Sequence, residues 1–368
     1  MQKETVWKIR AVSFIFVFLG AFSFLIRRNW IKLHPNQAAL SFGIILAVGG
    51  LLVLEGFAWW LNNEGVILES RIIEGAPSTT PFVQKDRLLG TKPIPNIVVS
   101  SSLVKSKQKI YEADYSFDSY GRRITPVEVA DRRRKFAQFF GCSMMFGTGV
   151  NDQETLPYYF GQLAQDYRPY NYGFQGYGPQ MMLAKLEDPS IKQEVGEKTG
   201  ILVYLFIDDH IDRAATRHYP LGGTPYYSLN SGQLIREGTL SLKKEMLGKF
   251  FLFLNQSQFL KALRLTFPKI SETDIRLTVE IIKKSRDSFH RQFGSSDFYV
   301  ILYPGQKYNE VMKKYFDRGG IKYFDYSTLF EISDAEFTIE GDGHSTPRAN
   351  SLLANRLISD LEIESTVT

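Results

Sequence analysis

A single cysteine, Cys142, among 368 residues excludes an intramolecular disulfide framework and any cysteine-rich zinc site, so the fold has to rest on packing. Histidine is almost as scarce, with five, and no helical stretch carries paired His/Glu ligands, which leaves a metal centre without support. Phosphate-loop and dinucleotide-binding glycine motifs are absent, and no cofactor is implied. Charge of one sign is also in short supply. The 44 Lys and Arg against 39 Asp and Glu give a net +5, which at first suggests a polyanion partner. Its distribution weakens that idea. Lys3, Lys8, Arg10, Arg27, Arg28 and Lys32 against Glu4, Glu55 and Glu64 place +3 of the total in residues 1–65. The remaining +2 is ordinary for a soluble domain, and no nucleic-acid partner is expected. The one dense basic run, Arg132-Arg133-Arg134-Lys135, reads as a solvated face, with anionic headgroups or an acidic glycan as the alternative contact.

Aromatic residues, by contrast, are plentiful: 28 Phe, 19 Tyr and 4 Trp argue against disorder, and the length allows one large or two ordinary domains. Two long apolar runs stand at the N-terminal end. Ala11–Ile26 has no charge and is flanked by Arg10 and Arg27-Arg28; as a helix it would reach about 24 Å, with the arginines snorkelling to close the gap to a bilayer core. Ala38–Leu61 would reach about 36 Å, is interrupted only by Glu55, and ends in an interfacial Trp59-Trp60 pair. No small-residue cleavage site follows the first run, so two membrane helices joined by a short basic loop are expected over residues 1–65. Glu55 reads as a helix-end or helix–helix partner. Basic residues flank both sides equally and leave the orientation open. A cytoplasmic loop would place everything after residue 65 on the periplasmic or extracellular side, which is the expected location.

Residues 66–109 read as a linker and lead-in segment, rich in Gly, Pro, Ser and Thr. The run Ile110–Arg123 alternates enough for a hairpin arm. Beyond it, apolar strand-like runs (Phe136–Phe140, Ile201–Ile207, Phe298–Tyr303, Ile321–Phe324) alternate with helical patterns at 156–167, 271–293, 311–316 and 347–361. Such alternation predicts βαβ units and a parallel sheet covered on both faces, hence a three-layer α/β/α sandwich over residues 110–368. Ser271 and Asp274 are spaced as a capping pair for the second helix. Residues 211–267 depart from the order as an inserted helical segment. The apolar stretch within it packs on the core or serves as a lid or membrane-contacting face.

Parallel sheets place ligands at the carboxyl ends of their strands. After the first strand stands Gly141-Cys142-Ser143, where a tight turn would present the serine hydroxyl and the next helix would offer backbone N–H groups to an oxyanion. After the second comes Asn171-Tyr172-Gly173-Phe174-Gln175-Gly176, and after the third Asp208-Asp209-His210. A serine nucleophile needs a base, normally histidine oriented by a carboxylate. His34 lies between the apolar runs, and His218 and His290 lie beside arginines in a loop and a helix. His344 has Asp342 two residues before it, on a loop ahead of the last helix. Taken alone, Asp342-Gly343-His344 reads equally as a solvated turn. Cys142 is a lesser candidate nucleophile, since at a strand end it points opposite to Ser143 and into the core.

Four blocks in order carry a resemblance: FFGCSMMFGTGVNDQ, NYGFQGYGPQ, a strand ending in Asp208-Asp209-His210, and DGHSTPRANSLLANRL. Together with the preceding DSYGRR they resemble the SGNH (GDSL-type) hydrolase superfamily over roughly residues 110–361. The resemblance implies Ser143 as nucleophile and oxyanion donor, Gly176 as second oxyanion donor, and His344 as general base oriented by Asp342. Three departures stand out. Cys142 replaces the usual aspartate before the serine. Gly341 occupies the usual acid position, with Asp342 one residue closer to the histidine, as in membrane-associated members that acetylate exopolysaccharides. The third-block asparagine is absent, leaving Asp209 or His210 as the side chains that could take its place.

The expected activity is therefore hydrolysis of an ester, an O-acyl group on a cell-envelope carbohydrate or lipid, through an acyl-enzyme. Transfer of the same acyl group to a sugar hydroxyl is the alternative. A non-catalytic binding or assembly module on the same fold is the third reading, favoured by the missing asparagine.

Overall fold

The computed structural model describes residues 43, 49–55, 67–73, 82–105, 107–127, 133–216, 223–257, 260, 261, 263, 265, 267–294 and 297–363. The chain divides into two units, residues 1–66 with 253–267, and residues 67–252 with 268–368. In the first, Gly43 and residues 49–55 are helical, and Ser257 donates to Glu55 Oε2 at 2.5 Å. The rest of the two expected membrane runs lies outside the described residues. Among the described residues, no helix is long and apolar enough to cross a membrane.

The second unit opens on strands. β1 (Ile67–Ile73), β4 (Val98–Lys105) and β5 (Gln108–Ser116) form an antiparallel sheet in the order β1-β4-β5, and β2 (Val83–Asp86) pairs with β3 (Gly90–Pro93). Residues 66–109, expected as a linker, are therefore largely paired strand. Alternation explains why: Val99, Ser101, Leu103, Tyr111, Ala113 and Tyr115 are buried at every second position, while Ser100, Ser102, Glu112 and Asp114 between them are more exposed. The hairpin expected over 110–123 also lies further upstream, with its strands at 98–105 and 108–116.

The α/β layer follows: β6 (Lys135–Phe140), α1 (Ser143–Phe146), α2 (Leu156–Leu163), β7 (Tyr167–Asn171), α3 (Pro179–Glu187), β8 (Thr199–Phe206), α4 (Asp209–Ala214), β9 (Pro225–Asn230), β10 (Gln233–Thr239), α5 (Leu242–Asn255), α6 (Glu272–Phe293), β11 (Asp297–Leu302), α7 (Asn309–Gly319), β12 (Tyr323–Asp325) and α8 (Pro347–Asp360). Five strands form one sheet in the order β7-β6-β8-β11-β12, all pairs parallel. Both faces are covered, as the continuous apolar strands require. One face packs Phe136, Leu202, Tyr204 and Val300 against Met182 of α3, Ile282 and Phe289 of α6, and Phe316 of α7. The other packs Ala137, Phe139, Val203 and Ile301 against Phe160 of α2 and Leu353 and Leu357 of α8. α6 starts where the capping pair predicts: Ser271 accepts from the Asp274 amide while Asp274 reaches back to the Ser271 amide.

The 211–267 segment is only partly helical. Residues 225–239 form an antiparallel hairpin, β9 with β10, which packs Tyr227 onto Leu183 of α3 and Ile281 of α6. The basic run is not a solvated face throughout, because Arg133 donates to the carbonyls of Gly161, Ala164 and Tyr167 at 2.9, 3.3 and 2.5 Å. Gly161 and Ala164 lie in the last turn and C-cap of α2, and Tyr167 opens β7. In the five-stranded sheet the strand order reverses at β6, so the carboxyl end of β6 is the topological switch point. Ser143 stands there.

Candidate active site

Ser143 is the first residue of α1, a single helical turn that leaves β6 through Gly141 and Cys142. The turn closes by Phe146 N to Cys142 O at 2.9 Å and Gly147 N to Ser143 O at 3.0 Å. Its first amides have no acceptor inside the helix and so remain available to an anion. Ser143 is half-buried, whereas Cys142 is fully buried on the α2/α8 face of the sheet, as strand alternation predicts.

The turn is held from behind by Arg123, which is almost wholly buried. Its guanidinium donates to Phe146 O at 2.8 Å, Gly147 O at 2.5 Å, Val150 O at 2.6 Å, Asp114 O at 3.3 Å and Asp152 Oδ1 at 2.8 Å. Burial lowers the Arg123 pKa, and the Asp152 carboxylate opposes that shift. Arg122 takes the other side. It pairs with Asp118 and donates to Tyr172 Oη at 3.0 Å and Glu194 O at 2.7 Å. DSYGRR thus works as a two-armed clasp, one arm on the serine turn and one on the segment after β7.

That segment is brought against the serine turn by Asn171. Its Nδ2 donates to Met145 O at 3.2 Å, and its Oδ1 accepts from Gly173 N at 2.9 Å. The two backbones are so close that a Cβ on Gly173 would lie 2.7 Å from Phe146 N. Phe174 N donates to Gly141 O at 3.3 Å, and Gln175 Nε2 to Thr148 Oγ1 at 3.1 Å. Gly176 follows, half-exposed, and a Cβ there would meet nothing within 4 Å. Gly176 therefore borders open space on its Cα side, in a loop tied to the serine turn.

His344 and Asp342 sit on the loop ahead of α8. Imidazole Nδ1 lies 2.5 Å from Asp342 Oδ2, with side chains 20% and 11% exposed. The loop is closed on itself by Ile339 N to His344 O at 2.8 Å and Gly343 N to Ile339 O at 2.9 Å. It reaches the serine turn through the neighbouring residues: Ser345 Oγ donates to Met144 Sδ at 3.8 Å and bonds Tyr303 Oη at 2.8 Å. Burial pushes the Tyr303 hydroxyl up to about 12, so it remains protonated in that contact. The residues directly after Ser143 and His344 thus touch.

The third block is built differently from the expectation. Asp208 accepts from the amides of Lys307 at 2.8 Å and Tyr308 at 3.1 Å, which turns its carboxylate toward the loop after β11; burial raises its pKa. Asp209 accepts from Arg213 Nη2 at 3.1 Å. His210 is fully buried with Nδ1 2.7 Å from Tyr204 Oη, and burial drives its pKa well below the ordinary value, leaving a neutral ring. Asp209 is thus an acceptor turned to Arg213, and His210 keeps an Nε2 that is buried without a hydrogen-bond partner. Of the other histidines, His290 is exposed on α6, and His34 and His218 lie outside the described residues. Sequence reasoning missed Asn171 and Arg213 as structural parts of the site. An asparagine ending a strand and an arginine four residues after an aspartate carry no signal that sets them apart.

No family model matches the chain, and no curated protein matches it in sequence. Several solved structures resemble it at low identity. A member of the lipolytic protein G-D-S-L family from Veillonella parvula is 15% identical, with 61% of this chain and 97% of that chain covered and a TM-score of 0.38. An acetyl xylan esterase from the rumen bacterium Butyrivibrio proteoclasticus is 12% identical, covering 81% and 84%, TM-score 0.36. A catalytic mutant of an acetylxylan esterase from Geobacillus stearothermophilus is 10% identical, covering 62% and 94%, TM-score 0.34. The chemistry of the site is therefore read from its own residues.

Proposed function

We propose that the chain is a serine esterase that removes an O-acyl group from a carbohydrate or lipid of the cell envelope. Ser143 Oγ attacks the acyl carbon while His344 Nε2 takes its proton. Asp342 on Nδ1 holds the imidazole in the tautomer this requires and stabilises the imidazolium. The amides of Ser143 and Gly176 receive the oxyanion. The alcohol leaves with the proton from His344. Water then attacks the acyl-enzyme, passes its proton to Nε2, and Ser143 is regenerated.

One observation carries this reading: the 2.5 Å contact of His344 Nδ1 with Asp342, in a loop whose next residue, Ser345, touches Met144 beside Ser143. Ser143→Ala should abolish hydrolysis of p-nitrophenyl acetate while leaving the thermal midpoint unchanged. Wild-type turnover in that variant would sink the assignment. Product analysis with and without an acceptor sugar separates hydrolysis from transfer.

The apolar runs Ala11–Ile26 and Ala38–Leu61 support a membrane anchor, with the catalytic unit on the periplasmic or extracellular side. A C-terminal alkaline phosphatase fusion active in whole cells, on a protein resisting carbonate extraction, is the expected result. An inactive fusion reverses the topology.

A further inference from the structure

Asp208 is turned to the β11 loop, and His210 is fully buried with Nδ1 on Tyr204 Oη. One turn along α4 stands Arg213, 6% exposed. Its Nη1 donates to Tyr177 O at 2.9 Å, the residue after Gly176. The thiol of Cys142, the residue before Ser143, lies against its guanidinium. The loop is packed so tightly on this side chain that a Cβ on Gly178 would lie 2.9 Å from Arg213 Cβ. The Arg213 carbonyl is in turn held by Gln180 Nε2 at 2.8 Å, in the first turn of α3.

We infer that Arg213 is a positioning residue that locks the Gly176 loop against the Ser143 turn and lends its positive charge to both backbone donors. The partner carboxylate of Asp209 is 51% exposed and therefore water-screened, whereas the Arg213 side chain is 6% exposed and its Nε has no nitrogen or oxygen partner. The balance leaves a net positive charge in a low-dielectric wall against Tyr177, the residue after Gly176. A negative charge developing on the acyl oxygen would be stabilised there with no reorganisation. Cys142 fits the same arrangement. An aspartate at that position would pair with the guanidinium and cancel the field, whereas a thiol packs against it.

The inference rests on the Ser143 reading, and its test keeps the two apart. The full chain is assayed on p-nitrophenyl acetate, and inhibition is measured with phenylboronic acid, which adds to a serine hydroxyl as a tetrahedral anion. Arg213→Met keeps bulk and removes charge; Arg213→Lys keeps charge and loses the fork to Tyr177 and Asp209. The expected result for Arg213→Met is a fall in kcat of about 10- to 100-fold, less than the loss of a direct donor, with KM within about twofold. The boronate inhibition constant should rise by the same factor. Arg213→Lys keeps the charge without the fork and should fall between wild type and Arg213→Met in both, within about tenfold of wild type. Equal impairment of the two variants, or a kcat loss without weaker boronate binding, overturns the inference and leaves Arg213 a packing residue. Should Arg213→Met fail to fold, Arg213→Lys decides alone, a loss beyond about tenfold counting against the field. Activity persisting in Ser143→Ala overturns the underlying reading instead.

Discussion

Arg123→Met is the most demanding perturbation of this site that leaves every reacting group in place. The wild-type guanidinium, almost wholly buried, satisfies three consecutive-turn carbonyls (Phe146, Gly147, Val150) and neutralises Asp152. Breaking one side of a buried ion pair costs about 3–5 kcal/mol, because the remaining charge stays buried. Asp152 keeps its bond from Ser116 N at 3.0 Å, which limits that part. Phe146 O and Gly147 O keep long bonds from Asn171 Nδ2 and Val150 N at 3.4 Å, so the Val150 carbonyl is the one left open and adds about 1–3 kcal/mol. A total of about 4–6 kcal/mol follows, a large share of the 5–15 kcal/mol typical of a domain. At roughly 2–4 °C per kcal/mol, the melting midpoint should fall by about 10–20 °C. Calorimetry on the full chain measures it, and kcat is read at a temperature where both proteins are folded. There kcat should still fall, because the Ser143 turn loses its backing. Adding Asp152→Asn should restore part of the midpoint and little of kcat. A single variant melting within about 2 °C of wild type, with wild-type kcat, would refute the claim that this arginine organises the serine turn.

Other expectations are simpler. Asp342→Asn should lower kcat by about 10²–10⁴-fold with little change in KM, since the imidazole loses its oriented tautomer. His210 gives a pH signature. Its folded pKa is depressed, so the unfolded chain takes up the proton first, and stability is lost as pH falls below the unfolded value near 6.5. The full slope is about 1.4 kcal/mol per pH unit, and His210→Phe should flatten denaturant-measured stability between pH 6 and 5 relative to wild type. Ser271→Ala removes the α6 cap and should cost about 1 kcal/mol without touching activity, as chemical denaturation and the ester assay would show.

The α/β layer was legible because its signals are local. Ile201–Ile207 could only be a strand buried on both faces, and the Ser271/Asp274 pair marks the start of α6 to the residue. The β1–β5 region was misread because Gly, Pro and Ser dominate its turns and outward positions, hiding the alternate burial of Val99, Leu103, Tyr111 and Tyr115. The hairpin at 225–239 was hidden in the same way, its exposed β10 offering no alternation to read. At the candidate site, the order of the blocks along the chain singled out Ser143, Asp342 and His344, and the structure pairs Asp342 with His344. The arginines that hold the site were not readable. What Arg123 and Arg213 do depends on which carbonyls lie within reach, and sequence separations of 23 to 36 residues do not encode that.

The central claim is that Ser143 carries the acyl group, and trapping it is the direct measurement. A fluorophosphonate probe added to the full chain, followed by peptide mass spectrometry, should give one adduct, on Ser143. The adduct should be absent in Ser143→Ala and form far more slowly in His344→Ala. An adduct on another residue, or none while wild-type ester hydrolysis proceeds, would contradict the account.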